Sequence, residues 1–186
     1  MKKYLFAVMF VLTSITIVQG QRMLPKQKGL EINTGTLSAD SSAQNHYLNI
    51  GLIINGRNGN YRLWSLEYTK QYSEYKELRI PQETYSIEMG YSFCLLGDRN
   101  KTISLNTAIT GGIGYETINR GNNLLYDGAK ILNEENFIYG AGGRLSLETY
   151  LSDHFVLLVQ ARAKVFWRSS LEQLRPSAGV GLRYNF

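Results

Sequence analysis

Ser177-Ala178-Gly179-Val180-Gly181-Leu182-Arg183-Tyr184-Asn185-Phe186 is the stretch whose reading decides the fold. Side chains of a β-strand alternate between its two faces. Ala178, Val180, Leu182, Tyr184 and Phe186 therefore share one face, and Ser177, Gly179, Gly181, Arg183 and Asn185 share the other. One face is wholly apolar and ends in two aromatics. The opposite face is small or polar and carries an arginine.

Working back from this strand, alternation marks seven more segments. The eight cover residues 28–37, 46–54, 61–72, 83–96, 101–117, 136–151, 154–167 and 176–186. The fourth sets Tyr85, Ile87, Met89, Tyr91, Phe93 and Leu95 against Thr84, Ser86, Glu88, Gly90, Ser92 and Cys94. The seventh sets Phe155, Leu157, Val159, Ala161, Ala163, Val165 and Trp167 against Val156, Leu158, Gln160, Arg162, Lys164 and Phe166. Most of these segments are long enough to cross a bilayer at the usual strand tilt.

The connections alternate as well. Three are tight and rich in Gly, Asn and Asp: residues 55–60, 97–100 and 152–153. The other four, 38–45, 73–82, 118–135 and 168–175, read as longer loops. Short turns at one end and long loops at the other are the pattern of an outer-membrane barrel. The fold expected is all-β: an eight-stranded, antiparallel, up-and-down transmembrane barrel of outer-membrane type. The final strand resembles the closing strand of such barrels, and Tyr184 and Phe186 then stand where their assembly signal lies.

The N-terminus points to export. Lys2 and Lys3 precede an apolar stretch over residues 4–18, and Val18-Gln19-Gly20 offers a cleavage site. Residues 1–20 read as a signal peptide, too short for a comfortable membrane span. Residues 21–186 then form one domain. The formal net charge of +5 falls to about +3 without Lys2 and Lys3. That is too weak and too scattered to argue for direct nucleic-acid binding. Cys94 is the one cysteine, which excludes an intrachain disulfide. No later apolar run suits a transmembrane helix, so membrane crossing requires a closed barrel.

The polar faces carry charges of both signs. Glu31, Glu67, Glu88, Glu116, Glu148, Arg144, Arg162, Lys164 and Arg183 are expected to point inward. Eight strands leave an interior just wide enough for side chains, so these charges must pair and plug it. Tyr68, Tyr85, Tyr115, Phe137 and Trp167 fall near the outer ends of outward faces, and Phe155 and Phe186 near the inner ends. Two such belts suit the two interfaces of a bilayer, with outer-membrane lipid as the contact.

No catalytic constellation emerges. His46 and His154 are the two histidines, and neither has the converging partners a metal needs. Cys94 lacks a nucleophile motif and reads as a small interior residue. Gly111-Gly112-Ile113-Gly114 precedes no helix and is no phosphate loop. No catalytic, metal or cofactor site is expected. The longest connection holds Leu124, Leu125 and Tyr126, apolar residues ill-suited to water, and is the candidate partner contact.

An ordered set of short matches runs along the chain: Gln21-Arg22-Met23-Leu24-Pro25, Arg79-Ile80-Pro81, Gly114-Tyr115-Glu116-Thr117, Leu124-Leu125-Tyr126-Asp127-Gly128, Phe137-Ile138-Tyr139-Gly140, Tyr150-Leu151-Ser152-Asp153 and Gly179-Val180-Gly181-Leu182. Together they resemble the TraO family of transfer proteins of Bacteroides-type conjugative transposons. The resemblance implies a cell-envelope component of the mating apparatus, with other transfer proteins as partners and no catalytic residues. Three readings compete with it: a generic small barrel for adhesion or envelope integrity, an outer-membrane enzyme, and a soluble calycin-like barrel. The last would put apolar residues inside, against the aromatic strand ends.

Overall fold

The computed structural model describes residues 24–37, 45–75, 78–98, 102–119, 135–169 and 172–186. The proposed signal peptide and Leu124, Leu125 and Tyr126 lie outside these residues. Eight strands follow in chain order: β1 (Lys28–Leu37), β2 (His46–Asn55), β3 (Tyr61–Tyr75), β4 (Leu78–Gly97), β5 (Ile103–Ile118), β6 (Glu135–Tyr150), β7 (Phe155–Trp167) and β8 (Leu174–Asn185). Each pairs antiparallel with the next, and β8 pairs with β1 to close the barrel.

Closure carries a fixed stagger. The cross-strand row Asn55, Tyr61, Ser92, Ala108, Arg144, Arg162, Ser177 leaves β1 beside Gln27 and returns to it at Leu37. A ten-residue offset in one circuit tilts the strands against the barrel axis. Eight strands at such a tilt enclose a space of about side-chain width.

Burial alternates along β1, β2 and β7 with the period of a pleated strand. The sense is inverted relative to a water-soluble protein. Glu31, Asn49, Glu88, Asn106, Gln160 and Arg183 are buried, whereas Ile50, Leu66, Ile87, Met89, Ile109 and Val159 are exposed. An apolar outer surface with a polar interior is stable only where lipid surrounds the sheet.

Local chemistry explains the tight turns. Between β2 and β3, Asn58 and Gly59 adopt φ of 60° and 78°. Consecutive positive φ values match the twist of a tight hairpin and favour Asn-Gly. At the same end of the barrel, near the C-terminus of β4, a bulge between Cys94 and Leu96 leaves Leu95 and Leu96 both exposed. Cys94 sits half-buried at this bulge, its N–H donating to Asn60 Oδ1 at 3.0 Å, and not deep in the interior.

Three strands, β3, β4 and β8, run beyond the sequence expectation. Residues 73–82 are not a long loop: β3 runs on to Tyr75 and β4 starts at Leu78, paired through Tyr72↔Pro81. Pro81 does not stop the strand. Tyr72 turns its N–H away from β4, to Asn45 Oδ1 at 3.0 Å, so Pro81 turns its nitrogen away from β3. On that side, β5 pairing begins only at Gln82↔Ile118. The missing donor removes no ladder bond. Likewise β8 starts at Leu174, which brings Arg175 out of the expected loop and into the wall.

Candidate functional site

Among the described residues, apolar side chains fill one end of the interior and ionic clusters fill the space above them. At the short-turn end, Ile53, Tyr61 and Leu63 pack with Ala108, and Tyr150 packs with Val156 and Leu158. These side chains close the floor of the barrel with apolar volume.

Above the floor lies a first ionic cluster. Arg183 Nη1 is 2.7 Å from Glu148 Oε2, and its Nη2 is 2.9 Å from Glu31 Oε2. Arg144 pairs with Glu31 at 2.8 Å. Tyr61 Oη donates to Glu148 at 2.6 Å and accepts from Arg144 at 2.9 Å. Arg183 also lies 4.6 Å from the centre of the Tyr61 ring. Every charge here has an opposite partner, which offsets the cost of burying ions, although Arg144 Nε is buried without an acceptor among the described residues.

A second cluster sits nearer the long-loop end. Glu67 accepts from Arg162 and, at 2.6 Å, from Lys164. Lys164 bridges onward to Glu88. Asn49 donates to Glu67 at 3.2 Å, and Arg162 stacks 3.7 Å from the centre of the Tyr47 ring. A third pair, Arg175 and Glu116 at 2.8 Å, is joined by Thr84 and Ser169 and backed by Phe166.

Five buried carboxylates thus face five buried cations among the described residues, so the plug is neutral. Arg175, Tyr61 and Tyr47 complete this network without standing out in the sequence. Arg175 had a legible signal: it continues the inward set 177, 179, 181, 183 by one period of two. The following proline masks it.

Two small voids lie among the described interior residues. One void beside Glu88, Thr110 and Lys164 and another beside Glu67, Arg162 and Arg175 measure about 10 Å³ each, room for about one water. Two glycines of β8 make way for the interior. A Cβ on Gly181 would lie 1.7 Å from Asn33 Oδ1, and one on Gly179 would lie 2.2 Å from Tyr47 Oη. Among the described residues, no three His, Cys, Asp or Glu side chains gather to hold a metal.

Tyr184 and Phe186 meet at the floor end. Tyr184 contacts Phe155 at 5.2 Å, His154 at 5.7 Å and Phe186 at 6.4 Å between ring centres. Phe186 and Lys28 exchange main-chain hydrogen bonds of 2.8 and 3.2 Å. At the other end, Tyr68, Tyr85, Tyr115 and Phe137 align across β3 to β6. The belt then steps down two residues to Tyr139 and Trp167, stacked at 5.8 Å. The stagger raises each in-register row as it circles the barrel, so this step keeps the belt level.

Comparison with known proteins follows the same line. The family model for conjugative transposon protein TraO matches residues 24–186. No curated relative matches the chain. Among solved structures, the chain is similar to Ail, the attachment invasion locus protein of Yersinia pestis, with 14% identity and a TM-score of 0.58 over 88% of this chain and 100% of that one. Neisserial surface protein A matches with 14% identity and a TM-score of 0.55, over 86% of this chain and 95% of that one. OprG, an outer membrane protein of Pseudomonas aeruginosa, matches with 10% identity and a TM-score of 0.54, over 91% and 99%. At such identities the likeness concerns the fold, a small barrel of outer-membrane type.

Proposed function

Because the chain belongs to the TraO family of conjugative transposon proteins, we propose that it is an outer-membrane barrel of the mating apparatus, acting as scaffold or contact surface and not as conduit or catalyst. The observation that carries this reading is the plugged lumen. Ion pairs such as Arg183–Glu31 and Lys164–Glu67 occupy the axis along which a strand of DNA would have to pass.

Location in the outer membrane is supported by the inside-out burial pattern and by the two aromatic belts. Export is supported by the basic start and apolar residues 4–18, which suit a cleaved signal peptide. Contacts with other transfer proteins are assigned to the outer loops, with Leu124, Leu125 and Tyr126 as the apolar candidates.

The test is a donor strain carrying the element with this gene deleted and replaced. Fractionation must place the protein in the outer membrane, with the slower-to-faster gel shift of a folded barrel before heating. Replacing Leu124, Leu125 and Tyr126 together with Ser should preserve that shift and lower transfer frequency. Normal transfer in the deletion strain would refute the conjugation role. It would return the protein to adhesion or envelope integrity.

A further inference from the structure

Buried charges pair across the lumen, whereas the short-turn end carries cations without partners. Residues 21–28, 56–62, 98–102 and 151–154 hold seven Lys or Arg against two Asp, and residues 38–45, 70–83, 117–135 and 168–174 hold six Lys or Arg against eight Asp or Glu. The fold thus gathers at one end a positive excess that is scattered along the chain. Four of these cations surround residues 54–56. Lys28 and Arg62 are the in-register neighbours of Ile54 on its two sides. Lys26 donates its N–H to the Asn55 carbonyl at 2.7 Å, and Arg57 follows two residues after Asn55. All four are exposed, and none has an ion-pair partner among the described residues. Asp98 and Asp153 belong to the other two turns. The terminal carboxylate of Phe186 accepts from the Lys28 main-chain N–H at 3.2 Å and offsets one of the four charges.

Two of the four face the bilayer. Lys28 shares its face of β1 with the exposed Leu30 and Ile32, and Arg62 shares its face of β3 with the exposed Trp64 and Leu66. Lys28 and Arg62 are two strands apart, about 10 Å at the usual spacing, a gap that one phosphate bridges with a long side chain reaching in from each side. In-register rows climb as they circle the barrel, so Arg62 stands nearer the membrane centre than Lys28. Its guanidinium stays charged at any ordinary pH, and the anion that the lipid side supplies is a phosphate. Lys26 and Arg57 lie past the strand ends, toward water. A zwitterionic headgroup would bring an ammonium into this cationic sector, whereas a net-anionic one brings no opposing charge.

We propose that the β1–β3 sector of the short-turn end binds a net-anionic glycerophospholipid of the periplasmic leaflet, its phosphate between Lys28 and Arg62 and its headgroup beside Lys26 and Arg57. The inference rests on the outer-membrane reading. Clustered cations at a membrane surface select anionic lipid by the same electrostatics.

The experiment uses the full mature chain, folded in detergent and offered equimolar phosphatidylglycerol and phosphatidylcholine, with retained lipid measured by native mass spectrometry. Heat-dependent gel mobility reports folding separately. The wild type should retain phosphatidylglycerol over phosphatidylcholine by about tenfold, and joint Lys28→Gln and Arg62→Gln should bring the two to within about twofold. Joint Lys26→Gln and Arg57→Gln should reduce the preference in part. Arg62→Lys, which keeps the charge, and Lys70→Gln, which removes a cation at the other end, should leave it intact. Equal retention of both lipids by a barrel that keeps its gel shift overturns the lipid site while the outer-membrane reading stands. So does a loss in Lys70→Gln as large as in the Lys28 and Arg62 pair. Binding of poly-L-glutamate by the barrel in phosphatidylcholine nanodiscs, without any preference for phosphatidylglycerol, overturns it in favour of an acidic protein partner. Absence of the gel shift in the wild type overturns the outer-membrane reading and this site with it.

Discussion

Arg183 of β8 stands directly across from Glu31 of β1 at the seam that closes the barrel, and bonds its carboxylate at 2.9 and 3.1 Å. The same guanidinium reaches Glu148 on β6 at 2.7 Å. Closure of the sheet and neutralisation of the lumen thus meet in one side chain with no exposed surface. A flat sheet would leave these three residues apart.

Removing that side chain should therefore unfold more than a contact. Arg183→Met leaves Glu31 and Glu148 buried with one fewer cation, a change that costs about 3–5 kcal/mol when a buried pair is broken. Arg183→Lys keeps the charge but loses the planar fork, and should fall between. Urea unfolding of the barrel in lipid vesicles measures both. A loss below about 1 kcal/mol for Arg183→Met would contradict the network's importance.

Gly181→Ala should destabilise although alanine is tolerated in most strands. The new Cβ would meet Asn33 Oδ1 at 1.7 Å and the Ile32 carbonyl at 2.8 Å. Asn33 is held in place by its 2.7 Å bond to Glu31, so it cannot swing aside freely. Overpacking of this kind costs about 1–3 kcal/mol. The same change at Gly111, where an added Cβ finds only one neighbour at 3.9 Å, should be near neutral. Equal stability of the two variants would rule out the crowding argument.

The purified barrel should give little conductance in a planar bilayer. Its lumen is filled by neutral ionic clusters over an apolar floor, with voids near the size of one water. Combined truncation to Ala of Glu67, Glu88, Arg162 and Lys164, which removes the second cluster, and of Leu63, Tyr61, Tyr150 and Leu158 in the floor should raise conductance. Stable, large channels from the unaltered protein would defeat the scaffold reading.

Deleting Phe186 should impair assembly far more than folding of a completed barrel. Its backbone is the last to exchange hydrogen bonds with Lys28, and its ring extends the Phe155–Tyr184 cluster. Folded yield in cells, followed by gel shift, should drop sharply, whereas loss of one outer-loop residue should not. Full yield from a chain ending at Asn185 would show that Phe186 carries no assembly information.

Much of the architecture is written locally. Alternation in Phe155–Trp167 or Ile103–Ile118 needs only the pleat of one strand, so face assignment is legible from either segment alone. Asn58-Gly59 announces its hairpin because positive φ is a property of those two residues. Pro81 misleads for the complementary reason. Whether a missing N–H matters depends on which neighbour strand reaches that position, and β5 does not.

By itself the sequence determined the number of strands and which residues share a face, because alternation is read from neighbours one or two positions away; that the polar face lines the interior is settled by burial in the closed barrel. Only the tertiary structure decided the ten-residue stagger, the extension of β3 and β4, and the entry of Arg175 into the lumen. It alone chose which carboxylate meets which cation. Glu31 and Arg183 are 152 positions apart in the chain. No local rule couples them; they meet because closing the sheet in one register brings their charges together in a space too narrow to leave either unpaired.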